Sequence, residues 1–325
     1  MRIFRALEDV PADFGPSLVS LGNFDGVHCA HRQVLKEMIA RARESGRKSI
    51  AVSFNPHPVQ VLRPEVAPKL ITPQAQKEAF LAQTGLDALL VIPFTREFSM
   101  ISSEDFARNV LAARLHAKAV YEGENFRFGH GGKGDISSLA EFGHALGFEV
   151  KVYPIMTLRG EPISSSRIRE LIAAGEISRA NRLLGRAFSV VSTPALGRGY
   201  GHKYTVPTIN LGRYESLIPA NGVYITRTRA GNHLFNSVTN VGTRPTFGDG
   251  LFAIETHLLD FQPIELTPET EVEVSFLSWR REEIRFPSVE ALKEQIGKDV
   301  KRAQRYFQLS APSGSHSRNC RDNES

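Results

Sequence analysis

Up to residue 186, short apolar runs alternate with stretches in which apolar positions recur every three to four residues. The runs Leu18–Leu21, Ile50–Phe54, Leu89–Ile92, Ala119–Tyr121 and Val150–Tyr153 predict strands. Between the first two, Val34, Leu35, Met38, Ile39 and Ala42 place one apolar stripe on a helix. Another helix is predicted from Ser103, whose hydroxyl can cap it ahead of Glu104, Asp105 and Phe106. This β-α-β alternation predicts a mostly parallel, doubly wound sheet with ligands at the carboxyl ends of its strands. Two loops, GNFDG at 22–26 and EGENFRFG at 122–129, directly follow predicted strands.

Beyond Gly185-Arg186 the helical period fades. Short β-rich segments follow at Phe188–Ser192, Gly222–Thr228, Leu234–Val241, Ala253–Leu259 and Glu271–Leu277, separated by glycines and prolines. They predict a small antiparallel β-barrel. A closing helix from Val289 to about Phe307 has Leu292, Ile296, Val300 and Ala303 at helical spacing, and the polar segment from Ser310 predicts a disordered tail. The expected domains are therefore 1–186 and 187–309, with a tail over 310–325.

The bulk properties narrow the class. A chain of 325 residues can bury two cores. No apolar run approaches the ~18 residues needed to span a bilayer. The start, MRIFRALEDV, lacks the pattern of a secretory signal, and two cysteines give no disulfide framework, so a cytoplasmic setting is expected. The net charge of +5 is spread, with basic and acidic residues interleaved in RARESGRK and SWRREEIR, which argues against a nucleic-acid-binding face.

The candidate chemistry sits in two places. In GNFDGVHCAHR, from Gly22 to Arg32, a helix beginning near Cys29 or Ala30 offers free amides and a dipole to an anion. His28 and His31, three residues apart, point to nearly the same side of its first turn and can donate to a phosphate. Two other readings stay open on spacing alone: a zinc site using His28, Cys29 and His31, or a simple helix cap. In the second half, GRGYGHKYTVPTIN (197–210) is glycine-rich. If it is extended near its end, Thr208 and Asn210 share a face, as two oxygen ligands of Mg²⁺ would. In AIETHL, Glu255 and His257 lie opposite Ile254, Thr256 and Leu258.

G-N-F-D-G-V-H-x-x-H closely resembles the signature of the bifunctional bacterial riboflavin kinase/FAD synthetase family. The resemblance continues in order through SFNPHP (53–58), GENFRFG (123–129), ISSSRIR (163–169), TVPTIN (205–210), NVGTRPTF (240–247) and IETHLLDF (254–261). It spans about residues 15–307. It implies a Rossmann-like nucleotidyltransferase domain that adenylylates FMN to FAD, followed by a β-barrel flavokinase domain that phosphorylates riboflavin to FMN. ATP is the co-substrate of both, with Mg²⁺ as cofactor. The implied partners are small molecules, with neither nucleic acid nor membrane.

Carried over residue by residue, the resemblance puts Gly22, Phe24, Asp25, His28, His31, Asn125, Ser164, Ser165, Ser166 and Arg169 around the ATP of the first site. Phe54, Asn55, Pro56, His57, Pro58, Phe126 and Phe128 would line the flavin. In the kinase half, Thr208 and Asn210 would hold Mg²⁺ and ATP, and Glu255 would be the general base. The chain departs from the family pattern at Ala30, at Asn55 and in its longer loop 197–206 with His202, Lys203 and Val206. Two alternatives remain: a chain with one catalytically silent, flavin-binding module, or a non-enzymatic binder.

Overall fold

The computed structural model describes residues 1–195, 203–204, 207–212, 214, 216–243, 252–284 and 286–310. The loop 197–202, Thr205 and Val206, the end of NVGTRPTF and the segment after Ser310 lie outside the described residues. The chain divides into two compact units, Met1–Phe188 with Glu215–Ala220, and Ser189–Tyr214 with Asn221–Ser325.

The first unit carries strands β1 (Arg2–Phe4), β2 (Ser17–Leu21), β3 (Lys48–Asn55), β4 (Ala88–Pro93), β5 (Ala117–Gly123) and β6 (Glu149–Tyr153). They form one parallel sheet in the order β1-β4-β3-β2-β5-β6. Every residue of β2 is buried, because the sheet is covered on both faces. On one side Leu18 packs with Leu35, Met38, Ile39 and Ala42 of helix α1 (Cys29–Glu44). On the other, Val19 and Leu21 meet Phe106, Val110, Leu111 and Leu139. Strand β1 escapes the apolar pattern, since only Phe4 of its three residues is buried.

Further helices are α2 (Pro58–Leu62), α3 (Gln74–Ala82), α4 (Ser103–Asp105), α5 (Ile136–Leu146), α6 (Ser165–Ala173) and α7 (Ile177–Leu184). The cap expected at Ser103 belongs instead to Ser102, whose hydroxyl accepts from the Asp105 amide at 3.0 Å. That places the oxygen three residues ahead of an orphan amide, as capping requires. Ser103 is the first helical residue, and the helix continues through Phe106–Arg114 with wider π-type bonding. A short hairpin, β7 (Thr157–Leu158) with β8 (Glu161–Pro162), precedes α6.

The strand order reverses at β2, whose neighbours are β3 on one side and β5 on the other. Ligands bind at such a reversal, beyond the carboxyl ends of the strands. Here β2 and β5 pair only as far as Val19–Val120, so their ends part. The Leu21 amide is taken not by β5 backbone but by the Glu122 carboxyl.

The second unit is antiparallel. Its strands are β9 (Phe188–Ser192), β10 (Lys203–Tyr204), β11 (Thr208–Asn210), β12 (Gly222–Ala230), β13 (His233–Thr243), β14 (Phe252–Leu258), β15 (Ile264–Glu265) and β16 (Val272–Arg281). The main sheet runs β11-β14-β13-β12-β16-β9, with β10 and β15 paired apart. A Pro194–Leu211 bridge, with Ala195 N–H to the Asn210 carbonyl at 2.7 Å, joins its two edges, so the sheet closes as the predicted barrel. Helix α8 (Val289–Ser310) packs through Val300, Ala303, Tyr306 and Phe307. An Arg281–Asp299 ion pair at 2.7 Å pins it to β16. Leu292 and Ile296, expected on the packed stripe, are instead 39% and 41% exposed, because Ala303 and Val300 near the carboxyl end make the contact. The helix also includes Ser310, assigned above to the tail.

Five hydroxyls inside this sheet close a ring: Thr226 to Ser237, Ser237 to Thr228, Thr228 to Thr256, Thr256 to Thr239, and Thr239 to Thr226, at 2.7–2.9 Å. All five residues are fully buried. Each hydroxyl can donate once and accept once around the ring, so no polar atom is stranded. Thr228→Val cuts two links and leaves Ser237 and Thr256 short of partners. Denaturant unfolding is expected to show a loss of about 1–3 kcal/mol, against almost none for Thr267→Val at the exposed turn.

Candidate active sites

The loop from Gly22 to His28 has an unusual backbone. Phe24, Gly26 and Val27 have φ of +48°, +83° and +39°. A β-branched residue in that region is strained, and such strain persists only where the surroundings over-determine it. Asp25 supplies the constraint. Its carboxylate, 3% exposed, accepts from the Ile71 and Thr72 amides at 3.0 Å and pairs with Arg169 at 2.9 Å. The Gly26 amide donates to the Thr72 hydroxyl, and the Ser165 hydroxyl donates to the Asp25 carbonyl at 2.8 Å. The loop is thereby fixed to residues 71–72 and to the start of α6. A side chain at Gly26 would be strained by its φ of +83° and would crowd Ile71 at 3.2 Å.

His28 ends the loop as the N-cap of α1, its Nδ1 accepting from the His31 amide at 3.3 Å. The cap reading is thus correct in part, and it fixes a tautomer, because an accepting Nδ1 leaves the proton on Nε2. The two imidazoles stack with centroids 3.5 Å apart, and Phe24 meets the edge of His31 at 5.2 Å. The zinc reading fails on geometry, since the Cys29 thiol turns to the Arg182 carbonyl and the rings lie face to face.

A cavity of about 450 Å³ opens here between the parted ends of β2 and β5. Phe24, His28, His31, Asn125, Phe126, Ser164 and Ser165 line it together with Tyr153, Ile155, Met156 and Ile163. The amino termini of both α1 and α6 lie at it, a ready site for a polyphosphate. Ser164 caps α6 by accepting from the Arg167 amide at 3.2 Å. Gly22, Asp25, Ser166 and Arg169 do not line it. Gly22 donates to the Val52 carbonyl, Ser166 is exposed, and the Arg169 guanidinium is held by Asp25 and the Lys69 carbonyl.

Electrostatics set the resting state of this cavity. Burial, reinforced by Arg186 and only partly opposed by Asp25, pushes His28 down to about 4. Burial, then His28 and Lys77, hold His31 well below its ordinary value. Both imidazoles are therefore neutral at pH 7, able to donate one hydrogen bond each. Lys77, not singled out by sequence, reaches from α3 to the Asn23 carbonyl and the Ser53 hydroxyl, both at 3.2 Å, and burial lowers its pKa. The only sequence signal for it is a lysine on the inner stripe of a helix.

The residues expected around the flavin are less convergent. Phe126 lines the cavity and stacks on Phe128, 5.5 Å away, but Phe128 is a core residue against Phe106. Phe54 packs edge-on with Phe94 at the end of β3. Asn55 and Pro56 are exposed just beyond it, and His57 caps α2, in which Pro58 is the first residue. The five residues 54–58 flank the switch point one strand away and do not line the cavity.

In the second unit, Asn210, Glu255 and Asn240 stand side by side on β11, β14 and β13, and Thr208 lies beside His257. All five side chains are half-buried on the sheet face opposite the hydroxyl ring. The extended stretch expected at Thr208–Asn210 is present, and the Thr208 hydroxyl meets His257 Nδ1 at 3.2 Å. Hydroxyl, amide and carboxylate oxygens on adjoining strands suit a hard cation. Sequence pattern put His257 on this face, but its contact with Thr208 needed the strand register.

Two family models match, FAD synthetase over residues 11–167 and riboflavin kinase over 184–307. The chain is 33% identical to a bifunctional riboflavin kinase/FMN adenylyltransferase of Pseudomonas fluorescens, covering 96% of this chain and 99% of that one. It is 34% identical to one from Listeria monocytogenes, covering 89% and 92%. A solved Streptococcus pneumoniae chain described as a macrolide-efflux protein superposes with a TM-score of 0.81 at 25% identity, covering 93% and 98%. The fold and sites define a two-module nucleotide-using enzyme. More particularly, the chain belongs to the bifunctional riboflavin kinase/FMN adenylyltransferase family.

The depressed histidines predict an acid-labile first unit. Unfolding restores His28 to 6.5, so its neutral form stabilises the fold fully above that value, and this is lost as pH falls toward 4. The loss attributable to His28 approaches about 3 kcal/mol at pH 4. Glu122, whose carboxyl is raised by burial, works the opposite way above its ordinary 4.5, so wild type and variant must be compared. Denaturant titrations from pH 7 to 4 are expected to show His28→Gln losing markedly less stability than wild type.

Proposed function

We infer that the chain makes both flavin cofactors in sequence. Its second module transfers the γ-phosphoryl group of ATP to riboflavin, giving FMN and ADP. Its first module joins FMN to the adenylyl group of a second ATP, giving FAD and pyrophosphate. Membership in the family supports both activities, and we assign them to 1–186 and 187–309. The observation that carries the adenylyl site is the convergence of His28, His31, Asn125, Ser164 and Ser165 on one cavity at the strand reversal.

In adenylyl transfer an FMN phosphate oxygen attacks the α-phosphorus of ATP and the bond to the β-phosphate oxygen breaks. The nucleophile is already anionic, so no base is needed. The task is positioning and stabilising charge on pyrophosphate as it leaves. His28, with its proton on Nε2, and His31 donate to the phosphates, and the amides of α1 and α6 complete the cradle. Because burial keeps the imidazoles neutral, an arriving polyphosphate can draw protons onto them and convert neutral bonds into charge-assisted ones. Asn125 bonds the ribose or a phosphate. Phe126 offers the flavin an aromatic face in the cavity, and residues 54–58 stand one strand away.

In the kinase site Glu255 takes the proton of the ribityl hydroxyl as that oxygen attacks the γ-phosphorus. Thr208 and Asn210 fit Mg²⁺ by donor type and would hold it, and such an ion would offset the negative charge of ATP. His257 orients the Thr208 hydroxyl toward that task.

Riboflavin with excess ATP and Mg²⁺, followed by chromatography over time, is expected to show FMN rising and then converting to FAD. His28→Ala should accumulate FMN, with FAD formation reduced about a hundredfold. Glu255→Gln should make almost no FMN yet convert supplied FMN to FAD at the wild-type rate. FMN without FAD from the wild-type chain would leave it a kinase with a silent first module.

A further inference from the structure

One group in the adenylyl cavity has an oxygen that neither the fold nor phosphate chemistry uses. Glu122, on β5, is 5% exposed and lines the cavity beside Ser20, Leu21, Gly123 and Asn125. Its Oε1 accepts from the Leu21 amide at the point where β2 and β5 part. Among the described residues its carboxyl makes no other hydrogen bond and no ion pair, so Oε2 is left to the cavity. Burial pushes the acid well above its ordinary range, only slightly opposed by the Leu21 bond, and no cation offsets it. Burial thus favours the protonated form, in which one oxygen serves Leu21 and the other can donate its O–H.

That second oxygen opens on the cavity, where a bound molecule can meet it. Were the acid only a stopper for the Leu21 amide, a single acceptor would suffice and the second oxygen would have no use. We propose that Glu122 is a specificity-determining residue of the nucleotide subsite, its cavity-facing carboxyl oxygen bonding a polar atom of the adenosine half of ATP. This rests on the reading of the cavity as the ATP site of adenylyl transfer.

The distribution of wall chemistry favours adenosine over the phosphates. His28, His31, Ser164, Ser165 and two helix amino termini already serve an anion. The remaining wall, Tyr153, Ile155, Met156 and Ile163, suits a planar base, and a ring nitrogen or ribose hydroxyl is the neutral partner such an acid can hold. A site built to bond a substrate atom also rejects analogues that lack it, since its own polar group is then stranded.

The test is steady-state FAD formation at saturating FMN, varying ATP, for wild type, Glu122→Gln and Glu122→Leu. Glutamine keeps both a donor and an acceptor for Leu21, so its KM for ATP should stay within about threefold of wild type. Leucine keeps the volume but loses both bonds, and KM for ATP should rise about tenfold or more, with KM for FMN unchanged. The leucine penalty should vanish for one member of the set 2′-deoxy-ATP, 1-deaza-, 3-deaza- and 7-deaza-ATP, which identifies the bonded atom. An equal penalty with every analogue, or no penalty, overturns the proposal and leaves Glu122 serving only Leu21. Riboflavin phosphorylation by the same preparation and the thermal transition report folding; if leucine fails there, Glu122→Met makes the same deletion. Wild-type FAD formation checks the underlying reading separately, since its absence would remove the ATP site itself.

Discussion

The buried Asp25 carboxylate is what the first active site depends on. A loop with Phe24 and Val27 in the left-handed region does not hold itself, and backbone bonds within it are few. Asp25 binds two amides of residues 71–72 and a guanidinium from α6, tying three separate chain segments around one pair of oxygens. The arrangement sets His28 as a cap, turns both imidazoles into the cavity and brings the amino terminus of α6 beside that of α1. Losing one partner of such a buried pair costs about 3–5 kcal/mol, enough to let the loop relax.

The electrostatics follow from the same construction. Fixing two histidines and a lysine in a closed space denies them water, so each is shifted toward its neutral form. The site stores unmet capacity for negative charge, which a polyphosphate can use. Glu122, also denied water, is likewise shifted toward its neutral form. In the second unit the device differs. There the hydroxyl ring fixes strand register, and register in turn sets Asn210, Glu255 and Asn240 in a row.

Much of this was legible in the sequence. Five parallel strands and α1 follow from apolar runs and one helical stripe, and the GNFDG loop directly follows the strand ending at Leu21 as expected. The Thr208–Asn210 pairing followed from a two-residue period. What the sequence hid depends on contacts distant along the chain. Asp25 and Arg169 were assigned to ATP by motif position, yet in this structure they bind each other across more than a hundred residues. Lys77, Glu122 and the Thr208–His257 bond have no local pattern, because a buried charge or cross-strand pair is visible only in register. Phe128 and Phe54 illustrate the converse: aromatic residues in a motif can be spent on the core.

The most direct measurement is the ratio of FAD to FMN formed from riboflavin by an Asp25→Ala variant. If the carboxylate holds the phosphate loop, FAD formation falls about a hundredfold while FMN is produced at the wild-type rate. FAD formation within about twofold of wild type would contradict the account, since the loop would then keep its shape without the group said to hold it.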